Sequence, residues 1–215
     1  MITSAHQIAT ADEVIRFARI DTGIDAVANL AALQAEVQKL TEQPWVPHVN
    51  QRDYDGEWDV LPLRCERQHN NAHPILQAFA IEDGQQWSDL PRLQSCPVLK
   101  AVLSNLKCPL KSVRLMRLRA GAEIRPHRDP GLSIEQGEAR LHLPIAMNDQ
   151  VFFIVDGLRV PMAAGELWYI NADQVHAVRN QSARDRINLV IDCVANDWLR
   201  NRISSASASG RGGAA

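Results

Sequence analysis

Pro126-His127-Arg128-Asp129-Pro130 opens the stretch that decides how this chain is read, and His176 and Arg186 close it. Between them stand Arg140-Leu141-His142-Leu143-Pro144 and Gly165-Glu166-Leu167-Trp168-Tyr169. Residues i and i+2 of a strand face the same way. A strand carrying His127 and Asp129 therefore aims an imidazole and a carboxylate at one point. A third ligand has to come from a different strand. His176 is the only His after His142, and it follows a strand-like run over residues 166–170. Two His and one carboxylate describe a facial set that holds ferrous iron and leaves coordination positions open.

Arg186 sharpens this reading. The polar run Asn180-Gln181-Ser182-Ala183-Arg184-Asp185 separates His176 from the β-branched run Ile187-Asn188-Leu189-Val190-Ile191. The pattern predicts a hairpin centred near Gln181 that sets positions 176 and 186 opposite each other, roughly 5 Å apart. A guanidinium there can grip a carboxylate with two prongs while the other end of the same molecule reaches the metal. That is the arrangement 2-oxoglutarate needs. Arg140 and His142 share a strand face, and a buried Arg without an anion is costly, which again favours a carboxylate ligand.

On His127-x-Asp129, Arg140-x-His142-x-Pro144, His176 and the Arg186 that follows it by ten positions, the chain resembles the aspartyl/asparaginyl β-hydroxylase family of Fe(II)/2-oxoglutarate dioxygenases. The resemblance covers roughly residues 45–195. The run Gly165-Glu166-Leu167-Trp168-Tyr169-Ile170-Asn171, followed by Val175-His176, also looks like bacterial free-proline hydroxylases that share the same barrel. The resemblance implies a double-stranded β-helix, a jelly-roll or cupin-like barrel in a mainly β chain with N-terminal helices. It implies Fe(II) on His127, Asp129 and His176, 2-oxoglutarate held by Arg186, Arg140 and His142, and O2 as the oxidant. The early strand of such a fold lies beside the active-site mouth, which makes Trp45, His48, Trp58 and Arg64 candidate substrate contacts. The best-known animal members hold iron with two His only. Asp129 supplies a carboxylate they lack, so their peptide substrate is not carried over.

The chain has 215 residues, 46% hydrophobic and 22% charged, with a formal net charge of -2. That suits one globular domain with a full core and gives no reason to expect nucleic acid as a partner. No apolar run approaches the roughly 18 residues of a membrane span. Residues 1–19 carry Asp12 and Glu13 and no apolar h-region, so no signal peptide is predicted. Cys65, Cys96, Cys108 and Cys193 form no C-x-x-C pair, and free buried thiols in a reducing cytoplasm are expected.

Taken in order, residues 11–19 have helical spacing. Residues 24–40 have it more clearly, with Asp21 or Thr22 as cap. The first 44 residues then form a helical annex on a barrel spanning 45–203. A Ser/Ala/Gly-rich tail over 204–215 is expected to be disordered. Residues 58–64 alternate as a strand, residues 97–106 form a helix entered through Pro97, and residues 112–119 alternate again without showing which face is inward. From there strands recur every 8 to 12 residues, with Asp156-Gly157 as a two-residue hairpin turn. Arg117, Arg125 and Arg128 are read either as a solvated face or as a cationic clamp for the substrate.

These readings lead to hydroxylation of an unactivated C–H of an amino acid or amino-acid residue, of Asp/Asn or proline type, with release of succinate and CO2. The substrate is a small-molecule amino acid or a peptide, with no nucleic acid and no membrane involved. Two alternatives stay open. One is a metal-dependent cupin-type isomerase or hydrolase, which needs neither Arg186 nor Arg140. The other is a non-catalytic barrel that binds a small acid.

Overall fold

From residue 110 onward short apolar-rich runs recur between Gly, Asn and Asp turns, and they fold as strands. A computed structural model describes residues 14–21, 29–80 and 86–210. In chain order the elements are β1 (Phe17–Arg19), α1 (Leu30–Leu40), β2 (Val46–Pro47), β3 (Tyr54–Asp55), β4 (Trp58–Glu66), α2 (Pro74–Phe79), β5 (Trp87–Asp89), α3 (Pro91–Gln94) and α4 (Pro97–Ser104). They continue with β6 (Leu110–Leu118), β7 (Glu123–His127), β8 (Glu138–Ala146), β9 (Val151–Val155), β10 (Leu158–Arg159), β11 (Trp168–Ile170), β12 (His176–Asn180), β13 (Arg186–Val194) and α5 (Asp197–Gly210).

Two antiparallel sheets result. The larger runs β1-β11-β8-β13-β6-β4-β2, with β5 added to β4, and the smaller runs β10-β9-β12-β7-β3. From β6 to β13 the chain alternates between them, with only the β9–β10 hairpin staying in one sheet. This interleaving is the double-stranded β-helix, or jelly roll. Within the hairpin, Val155 pairs with Leu158. Asp156 and Gly157 take φ of 48° and 75°, the two positive values that a tight primed turn demands.

Each face of the larger sheet is buried against something different. Met116, Leu118 and Val190 meet Ile124, Phe153 and Val178 of the smaller sheet. On the other face Leu115, Leu141 and Leu189 pack under Leu33 and Val37 of α1, Leu99 of α4, and Leu199 and Ile203 of α5. Burying each such side chain stabilises the fold by about 1.5–3 kcal/mol. The ambiguous alternation of β6 is thereby settled: Arg114, Met116 and Leu118 point between the sheets, and Val113 and Leu115 point toward the helices. The Glu36 carboxylate of α1 accepts hydrogen bonds from the N–H groups of Val98 and Leu99 at 2.8 and 3.0 Å. It satisfies donors that the first turn of α4 leaves open.

Four expectations need correction. Residues 17–19 form a strand, because Phe17, Ala18 and Arg19 pair with the edge of β11 and Phe17 packs on Trp168; residues 11–13 lie outside the described residues. The segment 1–44 thus contributes a strand to the larger sheet as well as α1. That helix starts after Asn29, not at Asp21 or Thr22, with 22–28 outside the described residues. The tail reading fails at least to Gly210, since α5 runs that far, anchored by the fully buried Leu199 and Ile203 one turn apart; residues 211–215 lie outside the described set.

The fourth concerns positions 176 and 186, which are not partners in a hairpin. β12 pairs with β7 and β9, whereas β13 pairs with β6 and β8. The polar loop 181–185 crosses from one sheet to the other. Asn180 holds the crossing: its amide nitrogen lies 2.8–3.1 Å from the carbonyls of Leu118, Arg119 and Arg184, and its oxygen accepts from the Ser182 hydroxyl at 2.7 Å. A polar turn flanked by strands looks the same in sequence whether it closes a hairpin or changes sheet.

Candidate metal centre and active site

The two imidazoles are set by strand pairing. His127 ends β7 and sits directly opposite His176, the first residue of β12. Their ring centroids are 4.2 Å apart. His127 Nδ1 lies 2.8 Å from the Arg125 carbonyl, and His176 Nδ1 lies 3.1 Å from that of Gln174. A carbonyl only accepts, so Nδ1 carries a hydrogen on each ring and Nε2 is the nitrogen turned to the ligand side. Such outer contacts orient His ligands on metals.

Asp129 lies two residues past the end of β7, and its backbone N–H donates to the Ala172 carbonyl at 2.9 Å. Its Oδ1 is 3.9 Å from His127 Nε2. One ligand atom from each of His127, Asp129 and His176 falls within 4.8 Å of the others, a group that could hold a metal ion. Two imidazole nitrogens and one carboxylate oxygen fit ferrous iron. Burial, and then the neighbouring His127, lowers the His176 pKa to about 4, so this ring is neutral at ordinary pH. Burial works to raise the Asp129 carboxyl, but Arg140, His176 and His127 outweigh it and hold it below its ordinary value.

These ligands open onto a cavity of about 260 Å³ between the sheets, many times the roughly 10–15 Å³ that one water needs. Three guanidiniums line it, from Arg114, Arg140 and Arg186. Asp192, opposite Arg140 on β13, takes two of them. It accepts from Arg140 Nε at 2.7 Å, from Arg140 Nη2 at 3.0 Å and from Arg114 Nη2. Arg140 Nη1 donates to Asp129 Oδ2. Burial would raise the Asp192 carboxyl; Arg140 and Arg114 pull it down to about 2.

Arg186 is different. It is only 2% exposed, yet its Nε and Nη2 have no hydrogen-bond partner among the described residues. Its guanidinium lies over the Phe153 ring at 5.7 Å. Burial alone lowers its pKa to about 10. Lining the same cavity, His142 lies 2.7 Å from Asn188. Burial, then Arg186 and Arg140, holds its imidazole well below the ordinary value and so uncharged.

Of the early-segment candidates only Trp58 and His48 reach the cavity. Their rings stack at 3.5 Å and 7°, with Phe79 edge-on to His48 at 4.8 Å. The Asn50 N–H donates to His48 Nδ1, and burial, followed by Arg114, lowers the His48 pKa to about 3. Trp45 donates to the Leu40 carbonyl at 3.2 Å and lies under the Arg117 guanidinium instead. Arg64 pairs with Asp89, Arg117 with Asp59, Arg125 with Asp55 and Arg128 with Asp173. None of these four is among the residues that line the cavity. Arg114 lines the cavity, and Asp192 and Asn188 hold the side chains of Arg140 and His142 that do; sequence reasoning singled out none of the three. Two signals pointed to the first two: the alternation of β6 for Arg114 and a charged residue inside the apolar β13 for Asp192.

Solved structures give likenesses of fold alone. An oxidoreductase of the 2OG-Fe(II) oxygenase family from Burkholderia pseudomallei is 17% identical, with 80% of this chain and 79% of that one covered, at a TM-score of 0.49. A prolyl-4-hydroxylase from Pseudomonas putida is 14% identical over 84% of this chain and 93% of its own, at 0.45. A cupin-like protein from Thermotoga maritima is 10% identical over 71% and 80%, at 0.39. The strand order described above stands without them. The sequence profile described as Aspartyl/Asparaginyl beta-hydroxylase matches residues 27–196, a span that holds every side chain of the site from His48 to Asp192. This chain belongs to the aspartyl/asparaginyl β-hydroxylase family.

Proposed function

We propose that the protein is an Fe(II)- and 2-oxoglutarate-dependent dioxygenase that hydroxylates an unactivated C–H of an amino acid or amino-acid residue, of the Asp/Asn or proline type. The observation that carries this is Arg186, a buried guanidinium with unpaired donors in the same cavity as a two-His, one-carboxylate group. A buried cation of this kind calls for an anion. Arg140 and Arg114 have theirs in Asp192, whereas Arg186 does not. A metal-only isomerase or hydrolase has no use for it.

When bound, ferrous iron with 2-oxoglutarate and O2 supplies the oxidising chemistry, placing one oxygen atom on the substrate carbon as 2-oxoglutarate becomes succinate and CO2. The chain's own residues arrange the rest. His127, Asp129 and His176 present three ligand atoms on one side and leave the cavity side open. Arg186 pairs with the far carboxylate of 2-oxoglutarate, and Phe153 beneath it keeps water from competing. Met116, Val178 and Val190 make the wall apolar, while Trp58, His48 and Phe79 offer a flat aromatic face to the aliphatic part of the substrate.

The test is a screen of free Asp, Asn and Pro beside short peptides that contain them, with iron, 2-oxoglutarate and air. Succinate release should be matched by mass gain of one oxygen. His127→Ala and His176→Ala should each abolish both signals. Arg186→Lys keeps the charge but loses the planar fork, and should cost roughly 1.5–3 kcal/mol of 2-oxoglutarate affinity. Tight zinc binding with turnover in the absence of ferrous iron would sink the reading.

A further inference from the structure

We infer that Arg140, anchored by Asp192, is the positioning residue for the Asp129 ligand. This rests on the reading of His127, Asp129 and His176 as the metal face. The resemblance to known hydroxylases implied a cosubstrate role for Arg140; its contacts with Asp129 and Asp192 add a positioning one.

The argument begins with what holds each ligand. His127 and His176 are paired residues of β7 and β12, and each ring is fixed by a bond from Nδ1 to a backbone carbonyl. Asp129 has no strand partner. Its backbone N–H reaches Ala172, which fixes the main chain but leaves the carboxylate free to rotate. The contact that stops the rotation is Arg140 Nη1 on Oδ2, and that leaves Oδ1 on the side of His127. One oxygen faces the guanidinium and the other faces the ligand nitrogens.

Arg140 is itself held with little freedom. Its Nε and Nη2 make a two-pronged pair with Asp192, the residue directly across the ladder between β8 and β13. Asp192 is 3% exposed and is gripped from its other side by Arg114. Arg114 Nη1 in turn donates to the Ala78 carbonyl of α2 at 3.1 Å. The chain of contacts thus runs from α2 through Arg114, Asp192 and Arg140 to Asp129. All three nitrogens of Arg140 are engaged, and its charge is already balanced. A planar fork is what lets a single side chain serve two carboxylates in fixed directions. An outer partner of this kind typically governs metal affinity by 10–100-fold.

The experiment is an air-free titration with Co²⁺, followed by its visible absorption, without 2-oxoglutarate or substrate. It compares wild type, Arg140→Lys, Asp192→Asn and, as control, Arg117→Lys, whose partner Asp59 is outside the cavity. Arg140→Lys keeps the charge, so electrostatic repulsion of the metal stays the same and only direction is lost. Both cavity variants are expected to bind Co²⁺ about 10–100-fold more weakly with a shifted band, while the control matches wild type. A purely structural role would lower the melting temperature and leave the affinity of the folded protein alone. Equal affinity and spectrum in Arg140→Lys and wild type would overturn the inference and leave the metal face standing. Should Asp192→Asn fail to fold, Arg140→Lys decides alone. Failure of wild type to bind Co²⁺ would overturn both the metal face and the role given to Arg140.

Discussion

His48 sits under Trp58 and is 8% exposed, and the fold keeps its imidazole uncharged down to a pKa of about 3. An unfolded chain takes up that proton near pH 6.5. Between these values the unfolded state binds more protons, so stability rises with pH across the window. It is fully present above about 6.5 and is lost as pH falls toward 3. His176, at about 4, pulls in the same direction. In metal-free protein each such group adds a slope approaching about 1.4 kcal/mol per pH unit inside its window. His48→Gln should therefore flatten the fall in urea stability between pH 6.5 and 5 relative to wild type, and parallel slopes would contradict it. At this scale the three residues were legible as a group, because His127-x-Asp129 and one distal His are visible in one dimension, although Asp129 lies past the end of β7 and not on a strand shared with His127. The partners of Arg64, Arg117, Arg125 and Arg128 were not, since Asp89, Asp59, Asp55 and Asp173 come alongside only through the folded arrangement of strands and loops. Asp192 was hidden for the same reason: only the register of β13 on β8 sets it against Arg140.

Elements were readable where one rule governed them and misleading where two competed. β4, β6, β8 and α4 follow from alternation and from Pro97. The crossing at 181–185 did not, because turn chemistry names a turn and not the sheet its far side joins. A short helix at Trp198-Leu199 was readable, but the Ser/Ala/Gly composition from Ser204 onward hid that α5 continues to Gly210. Gly56, at the turn that carries the chain from β3 in the smaller sheet to β4 in the larger, gives a test of such a junction. It takes φ +81°, and an added Cβ would meet the Ala122 Cβ at 2.8 Å. Gly137 has nearly the same φ, +85°, with nothing within 4 Å. Gly137→Ala should cost only the left-handed strain, about 1–2 kcal/mol, whereas Gly56→Ala should cost that plus about 1–3 kcal/mol of overpacking. Urea unfolding of the pair measures the difference, and equal losses would mean that the β3–β4 turn yields.

Across the whole molecule, the charged groups and the ligand rings divide by layer. Arg114, Arg140, Arg186 and Asp192 belong to the larger sheet, and His127 and His176 belong to the smaller one. The interval between Arg186 and the imidazoles is thus a packing distance between two slabs and not a covalent step along one hairpin. A molecule that grips Arg186 at one end and a metal on His127 and His176 at the other spans the slabs like a strut across a vise. Metal alone touches chiefly the smaller slab, and a free dicarboxylate alone touches the larger. Only the two together should brace the gap, so their combined rise in melting temperature should exceed the sum of the separate rises. Amide hydrogen exchange should slow most in β7 and β12, the strands whose opening would pull the strut loose. A merely additive shift, with protection confined to β13, would mean that the two slabs are already locked to each other before anything enters.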